Sequence, residues 1–465
     1  EELREVVNLE QVSNRLCSMS KLAQSYEREI DAIRPYVLKI RQDLKVAEAL
    51  AQVSLLTSPA ARRRLAVRSL QLGRDPEQGP TEEYEPPKDI LLYLVRMGSF
   101  NSAPKILNDD HQDRSLSVPA SMSRLEFMDF CARERCNSFQ LLRRPFLLRD
   151  TPLTEQVRHM SLSGNILVFQ WNVLSQTLGQ TNDSFVLCPE AALTWDFRKF
   201  HLIEEIIQNN ADVICLQEVD HFEFLQKLLA TQGYEGVFYP KPDSPCVYIE
   251  GNNGPDGCAI FYKKDKFECI AKDSKILEVW KVQSNQVAIL VVLRSLQSQR
   301  EVCVVTTHLK AKKGALLSRL RNEQGKDLLE FISAKAGPRP VIICGDFNAE
   351  PSEPVYKTVL SDTTLGLGSA YANFLTPGSE TMEPEKSAEN EVPYTTWKVR
   401  EEGEVCHTID YIFYSQQQLE VDGILGVPSP EDMGEGKVPS YHYPSDHFSL
   451  VCDFSFKPSH QSNDS

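Results

Sequence analysis

From about residue 165 onward the sequence predicts an α/β fold of two packed sheets with helices outside them, preceded by a separate helical extension. Two observations carry this. Short apolar runs (ILVFQW, DVICLQEV, GCAIFY, QVAILVVL, EVCVVTTHL, PVIICGDF, TIDYIFY and FSLVCDF) alternate with helical stretches such as FRKFHLIEEIIQNN and NEQGKDLLEFISAKAG. Buried strands interleaved with amphipathic helices are the pattern of layered α/β architecture. The length, 465 residues, exceeds one ordinary compact domain but suits a large two-sheet domain with an added segment.

The elements follow in chain order. Between Val12 and Ala47 apolar or small residues recur in steps of three and four, a heptad stripe. It predicts a helical extension over 1–71 that binds a partner helix or self-associates. The plainer reading is an amphipathic hairpin or a lone helix on the enzyme, and Pro35 inside the stripe favours it. Arg62, Arg63, Arg64, Arg68 and Arg74 form an acid-free basic run, compatible with organelle targeting but read first as a solvated helical face. Residues 72–150 are expected to be linker and irregular segment, from the Gly, Pro and Glu of GRDPEQGPTEEYEPP. MGSFNS at 97–102 matches a myristoylation pattern, so membrane attachment is expected only if translation starts at Met97 and exposes Gly98. The catalytic region is placed at 151–456, with a mobile insertion at 378–391 and a disordered tail at 457–465. A chain begun near Thr151 is therefore expected to fold and act unaided.

Bulk properties narrow the class. A net charge of −15 argues against a general grip on RNA or DNA, which rests on basic surface. Twelve scattered cysteines read as reduced core residues of an intracellular protein, with the cytoplasm expected and the mitochondrion as second compartment. No spacing suits a zinc site and no apolar run reaches membrane-span length.

Six motifs then recur in one order: Gln170-Trp171-Asn172, Cys215-Leu216-Gln217-Glu218, Thr307-His308-Leu309-Lys310, Gly345-Asp346-Phe347-Asn348, His407-Thr408-Ile409-Asp410-Tyr411 and Pro444-Ser445-Asp446-His447. They are the parts of a Mg²⁺-dependent phosphoesterase, because a hard cation wants oxygen ligands and hydrolysis needs a water-activating carboxylate and a proton-bearing His. Glu218 ends a buried run and can ligate metal at a sheet mouth; taken alone, it reads as a strand cap. Asn172 can complete a cation shell or close a turn. Asp346 and Asn348 lie on one side of an extended chain and can align a water with a phosphate, whereas an Asx turn explains them only in isolation. Asp410 and His447 sit beside apolar strands, where a buried Asp fixes the tautomer of a His and favours its charged form.

On these motifs the sequence resembles the endonuclease/exonuclease/phosphatase superfamily, with its DNase I-like fold, from about Ile166 to Phe456. The resemblance implies an α/β four-layer α-β-β-α sandwich. Carried over residue by residue, it implies Glu218 and Asn172 as Mg²⁺ ligands, Asp346 and Asn348 orienting the attacking water, Asp410 paired with His447, and Asp446 and His308 completing the phosphate pocket. Asp346 as general base or as ligand of a second metal stays open. The longer stretches NNGPDGCAIF at 252–261 and PYTTWKVR at 393–400 resemble one branch of the superfamily. That branch is similar to poly(A) deadenylases, yet removes the 2′-phosphate of NADP⁺ and NADPH to give NAD⁺ and NADH. The implied pocket holds a dinucleotide through its pyrophosphate, with Lys241, Lys310, Lys312, Arg400 and Asn348 as substrate-binding residues. Arg is expected at position 312 in relatives, so Lys312 supplies a point charge in place of a bidentate fork. Two other classes compete: a 3′ exonuclease acting on mRNA tails, with RNA as the weaker partner, and a catalytically dead scaffold that recruits partners. The complete set of acid, amide and His side chains argues against the scaffold.

Overall fold

The computed structural model describes residues 118, 122–135, 138–149, 164–181, 185–248, 252–375 and 384–458. The heptad stripe, the basic run, the Gly, Pro and Glu linker, the MGSFNS pattern and the tail from 459 lie outside the described residues. One sheet holds seven strands in the order β1 (Phe146–Leu148), β14 (Leu419–Leu425), β15 (Leu450–Phe456), β2 (Ile166–Asn172), β3 (Val213–Val219), β5 (Gly257–Lys263) and β4 (Tyr234–Pro240). The other holds six: β10 (Leu367–Ser369), β13 (Asp410–Ser415), β9 (Val341–Asp346), β8 (Glu301–His308), β7 (Val282–Ser295) and β6 (Phe267–Val279). A hairpin of β11 (Thr396–Arg400) and β12 (Gly403–His407) stands apart. The helices used below are α1 (Arg124–Glu134), α2 (Trp195–Gln208), α3 (Phe222–Ala230), α4 (Ala315–Ala336), α5 (Pro354–Leu360) and α6 (Pro384–Glu389).

Each of the two long helices, α2 and α4, lies in the crossover of a parallel strand pair. β2 and β3 run parallel, as do β8 and β9, and a parallel pair requires a crossover long enough to return the chain to the same end. The consequence for the site is that Asn172 ends β2 with Glu218 next to the end of neighbouring β3, and His308 and Asp346 end neighbouring β8 and β9, each pair at the C-terminal end of parallel strands. The layers follow from burial. Val168, Cys215 and Ile260 of the first sheet meet Val291, Val304, Ile342 and Ile412 of the second. Ile203 and Ile206 of α2 and Leu228 of α3 cover Phe169, Trp171 and Ile214 on the first sheet's outer face. Leu328 and Ile332 of α4, with Val355 of α5, cover Leu290, Val305 and Ile343 on the second. Each fully buried aliphatic side chain contributes roughly 1.5–3 kcal/mol, so the four-layer α-β-β-α order is the arrangement that wets neither sheet face. The described cysteines are free thiols.

The expected linker and irregular segment, 72–150, needs correcting at its C-terminal end. Ser123 and Glu126 form a reciprocal capping box that starts α1, satisfying two backbone donors that a helix start leaves open. α1 buries Phe127, Phe130 and Cys131 in the cluster beneath α2. β1 pairs antiparallel with β14, and the buried Arg144 guanidinium lies 2.6 Å from Glu205 of α2. The catalytic body therefore begins well before Thr151. The proposed mobile insertion, 378–391, is also corrected at its end: α6 is anchored there by the Tyr356 hydroxyl, 2.8 Å from Ser387 Oγ and 2.7 Å from Glu391. Residues 376–383 lie outside the described residues.

Candidate active site

Strand register assembles the acids. Across the second sheet His308, Asp346 and Asp410 are direct neighbours on β8, β9 and β13. Gly345 is required one step earlier, because a Cβ there would lie 2.5 Å from Thr307 O. On the first sheet the β3/β5 register shifts between Leu216 and Val219, and Glu218 within that bulge has φ 56°. A bulge re-aims a side chain, and a left-handed non-glycine residue costs about 1–2 kcal/mol, so the strain goes into pointing this carboxylate at the opposite sheet. Asn348 is held likewise at φ 51°, its N–H donating to Asp346 Oδ1 at 2.8 Å.

Asn172 spans the acids: its Nδ2 donates to Glu218 Oε1 at 2.9 Å and Asp346 Oδ2 at 3.0 Å. Ligand atoms of Glu218, His308 and Asp346 lie within 4.8 Å of one another, as do those of Asp346, Asp410 and His447. Clustered carboxylate oxygens with a neutral imidazole fit a hard divalent cation. Asn172 Oδ1 accepts Leu174 N–H at 3.0 Å, so Asn172 joins a cation shell through oxygen only after its amide turns about χ2.

The acids and bases are tuned apart. Burial, together with the charge of Asp410, pushes the Asp346 carboxyl up to about 7, the range suited to a general base. His447 Nδ1 lies 2.8 Å from Asp410 Oδ2. Burial opposes its charge, but Asp410, Asp446 and Asp346 outweigh burial and raise it to about 9. At neutral pH it is an imidazolium whose Nε2 lies 3.8 Å from both Asp346 Oδ2 and Asp446 Oδ2. His308 is the reverse: burial, then the charges of Lys241 and His447, hold it well below the usual range, so it stays neutral. Its Nε2 lies 2.9 Å from Asn348 Nδ2 and its Nδ1 3.5 Å from the Lys241 ammonium. The buried Asp446 is kept ionised against burial by Lys398, His447 and Arg400.

Cations line the rim. Lys241 is buried, 2.5 Å from Asp256, so its charge is partly committed within the wall. Burial, then the like charges of Lys312 and Lys241, pushes Lys310 down to about 8. Lys312 is exposed at φ 81°. Arg400 ends β11 with its guanidinium 5.7 Å above the Phe185 ring.

Several site residues carried no role in the sequence reading. Gln170 and Gln217 exchange side-chain hydrogen bonds, and Gln217 also donates to Thr306 at 2.9 Å, tying the two sheets beneath the acids. Thr395 donates to Asp410 Oδ2 at 2.7 Å. Lys398 pairs with Asp446. Both glutamines lie inside motifs already singled out, and a polar residue within a buried strand was their available signal. Lys398 and Thr395 are visible in PYTTWKVR, but only the fold brings them to Asp446 and Asp410.

Fold and site together define a hydrolase whose acid cluster could hold a divalent cation, and the sequence matches the Endonuclease/Exonuclease/phosphatase family over residues 169–447. The chain belongs to that family. Its relatives within that family include nocturnins: it is 49% identical to that of Drosophila melanogaster over 90% of this chain and 74% of that protein. It is 46% identical to human nocturnin over 63% of this chain and 65% of that protein. The solved human nocturnin catalytic domain with bound sulfate anion superposes with a TM-score of 0.54 and 40% identity, covering 68% of this chain and 97% of that one.

Proposed function

We propose that this chain is a Mg²⁺-dependent phosphatase that removes the 2′-phosphate of NADP⁺ and NADPH, giving NAD⁺ and NADH. The observation that carries this reading is a group of lysines beside the acid cluster, where the charges of Lys312 and Lys241 add to burial in pushing Lys310 down to about 8. A site that holds like charges together is stabilised by a multiply charged anion, and a dinucleotide offers a pyrophosphate and a third phosphate at once. Nocturnin relatives support the assignment, as does sulfate binding by the human catalytic domain.

Glu218, with Asp346, His308 and a turned Asn172, would hold the cation. Bound there, it would neutralise charge on the phosphate oxygens and favour an oxygen nucleophile. The chain's own groups do the rest. Asp346, ionised once its pKa is passed, takes a proton from water held by Asn348. The His447 imidazolium, fixed by Asp410, stabilises the charge gathering on the phosphate as the water oxygen bonds to phosphorus and the P–O2′ bond breaks, the ribose 2′-oxygen taking its proton from solvent. Lys310, Lys312 and Arg400 grip the pyrophosphate, leaving the 2′-phosphate over the acids.

The test is selectivity. Purified chain with Mg²⁺ should release inorganic phosphate from NADP⁺ with a kcat/KM at least about tenfold above that for adenosine 2′-monophosphate. Equal efficiency on the two would refute the pyrophosphate grip. Release of AMP from oligo(A), with NADP⁺ untouched, would replace the proposal with the exonuclease reading.

A further inference from the structure

Arg198 stands on α2 with 0% exposure, and among the described residues no carboxylate pairs with it. Its Nη2 donates to the carbonyl oxygens of Val173 and Leu174, at 2.5 Å each, and its Nε donates to Pro444 O at 2.6 Å. Nη1 is buried without a protein partner. Burial lowers the guanidinium's pKa against the opposing charges of Asp220, Asp446, Cys188 and Glu218. Burying a charge without a paired counter-ion costs several kcal/mol, so an apolar residue here would serve packing better.

The carbonyls it holds explain its presence. Val173 and Leu174 directly follow Asn172, while Pro444 directly precedes Ser445, Asp446 and His447. The same two segments are tied again where the Ser445 hydroxyl donates to Asn172 O at 2.6 Å. Leu174 itself is held at φ 57°, a strain of about 1–2 kcal/mol for a non-glycine residue. A buried cation, a strained turn and a hydroxyl thus converge where the cation side of the cleft meets its phosphate side.

We propose that Arg198 and Ser445 are positioning residues that clasp these two halves together. They fix the spacing of Asn172 and Glu218 against Asp446 and His447. This rests on the reading of the cleft as a metal-dependent phosphoesterase. A phosphate bridging the halves reacts only at one spacing, and a misplacement of about 1 Å costs roughly a hundredfold in rate. Neither residue touches substrate, so binding at each half survives while their joint action fails.

The experiment compares wild type, Arg198→Lys and Ser445→Ala. Steady-state hydrolysis of NADP⁺ is measured alongside calorimetric binding of Mn²⁺. Arg198→Lys should lower kcat about a hundredfold and Ser445→Ala about tenfold, with KM and Mn²⁺ affinity within about threefold of wild type. A kcat within about twofold of wild type in either folded variant overturns the clasp. So does parallel loss of kcat and Mn²⁺ binding, which would mark general collapse of the site. If Arg198→Lys does not fold, Ser445→Ala decides alone. Wild type that binds Mn²⁺ but leaves NADP⁺ intact sinks the substrate assignment and not the clasp, which is then tested on oligo(A). Wild type that binds no Mn²⁺ and cleaves neither substrate refutes both.

Discussion

The floor of the cleft and its rim are built by different means. Asp346, Asp410 and His447 are 1%, 2% and 4% exposed, sit at strand ends or against them, and are held by named partners. Lys310 and Lys312 lie on the loop after β8, and Arg400 ends a hairpin outside both sheets. Sheet register fixes His308, Asp346 and Asp410, and His447 is joined to them through Asp410 and its bridge to Thr396. Lys310 and Lys312 can vary without disturbing that floor, whereas Arg400 also helps keep Asp446 ionised. Chemistry is written in the sheets and substrate choice in the loops, as expected where loops ride on a rigid scaffold.

Perturbing the floor should have the largest effects. Glu218→Ala removes a proposed cation ligand and should cost roughly 10³-fold or more in turnover. Its melting temperature should hold, since one fewer negative charge relieves repulsion among the acids. Joint loss of stability and activity would make Glu218 structural. Deleting everything before Thr151 should destabilise the fold by about 3–5 kcal/mol, because Glu205 loses Arg144. Arg144 also donates to Ser449 O at 2.8 Å, next to the His447 segment. Urea unfolding of the truncated chain checks this, and an unchanged midpoint would detach that segment from the floor.

Smaller changes sharpen the contrast. Asp346→Asn and His447→Gln should each lower kcat by roughly 10²–10³ with KM nearly constant. Near-normal turnover in either would remove that residue from the chemistry. The pH profile has a definite sense. As the proposed base Asp346 acts ionised, so kcat should rise with pH through its pKa, at about 7 without a cation and lower with one bound. As the proposed imidazolium His447 acts protonated, so kcat should fall as pH climbs through about 9. His447→Gln should abolish the alkaline limb and keep the acid limb. At the rim, Lys310→Met or Lys312→Met should raise KM about tenfold, leave kcat alone and flatten the salt dependence of KM. A fall in kcat instead would merge rim and floor.

What was legible in the sequence follows the same division. Strands such as ILVFQW and PVIICGDF were readable because burial on both faces leaves a continuous apolar run, and the motif acids were readable as polar residues ending those runs. α1 was missed although Ser123 and Glu126 spell its capping box, because the Gly, Pro and Glu composition upstream was extended too far. Contacts between distant segments leave no local trace. Arg198 looks like one basic residue in an amphipathic helix until the fold brings Val173, Leu174 and Pro444 to it. Lys241 was read as a substrate ligand, and its pairing with Asp256 fifteen residues on required the register of β4 against β5.

In the proposed reaction this floor cuts the 2′-phosphate from a dinucleotide whose pyrophosphate stays whole. Phosphorus NMR of NADP⁺ incubated with the chain and Mg²⁺ tests it most directly. The 2′-phosphomonoester resonance should disappear as inorganic phosphate grows, with the pyrophosphate resonances retained and NAD⁺ as product. Cleavage of the pyrophosphate, or persistence of the 2′-phosphate under conditions where the same preparation shortens oligo(A), would contradict it.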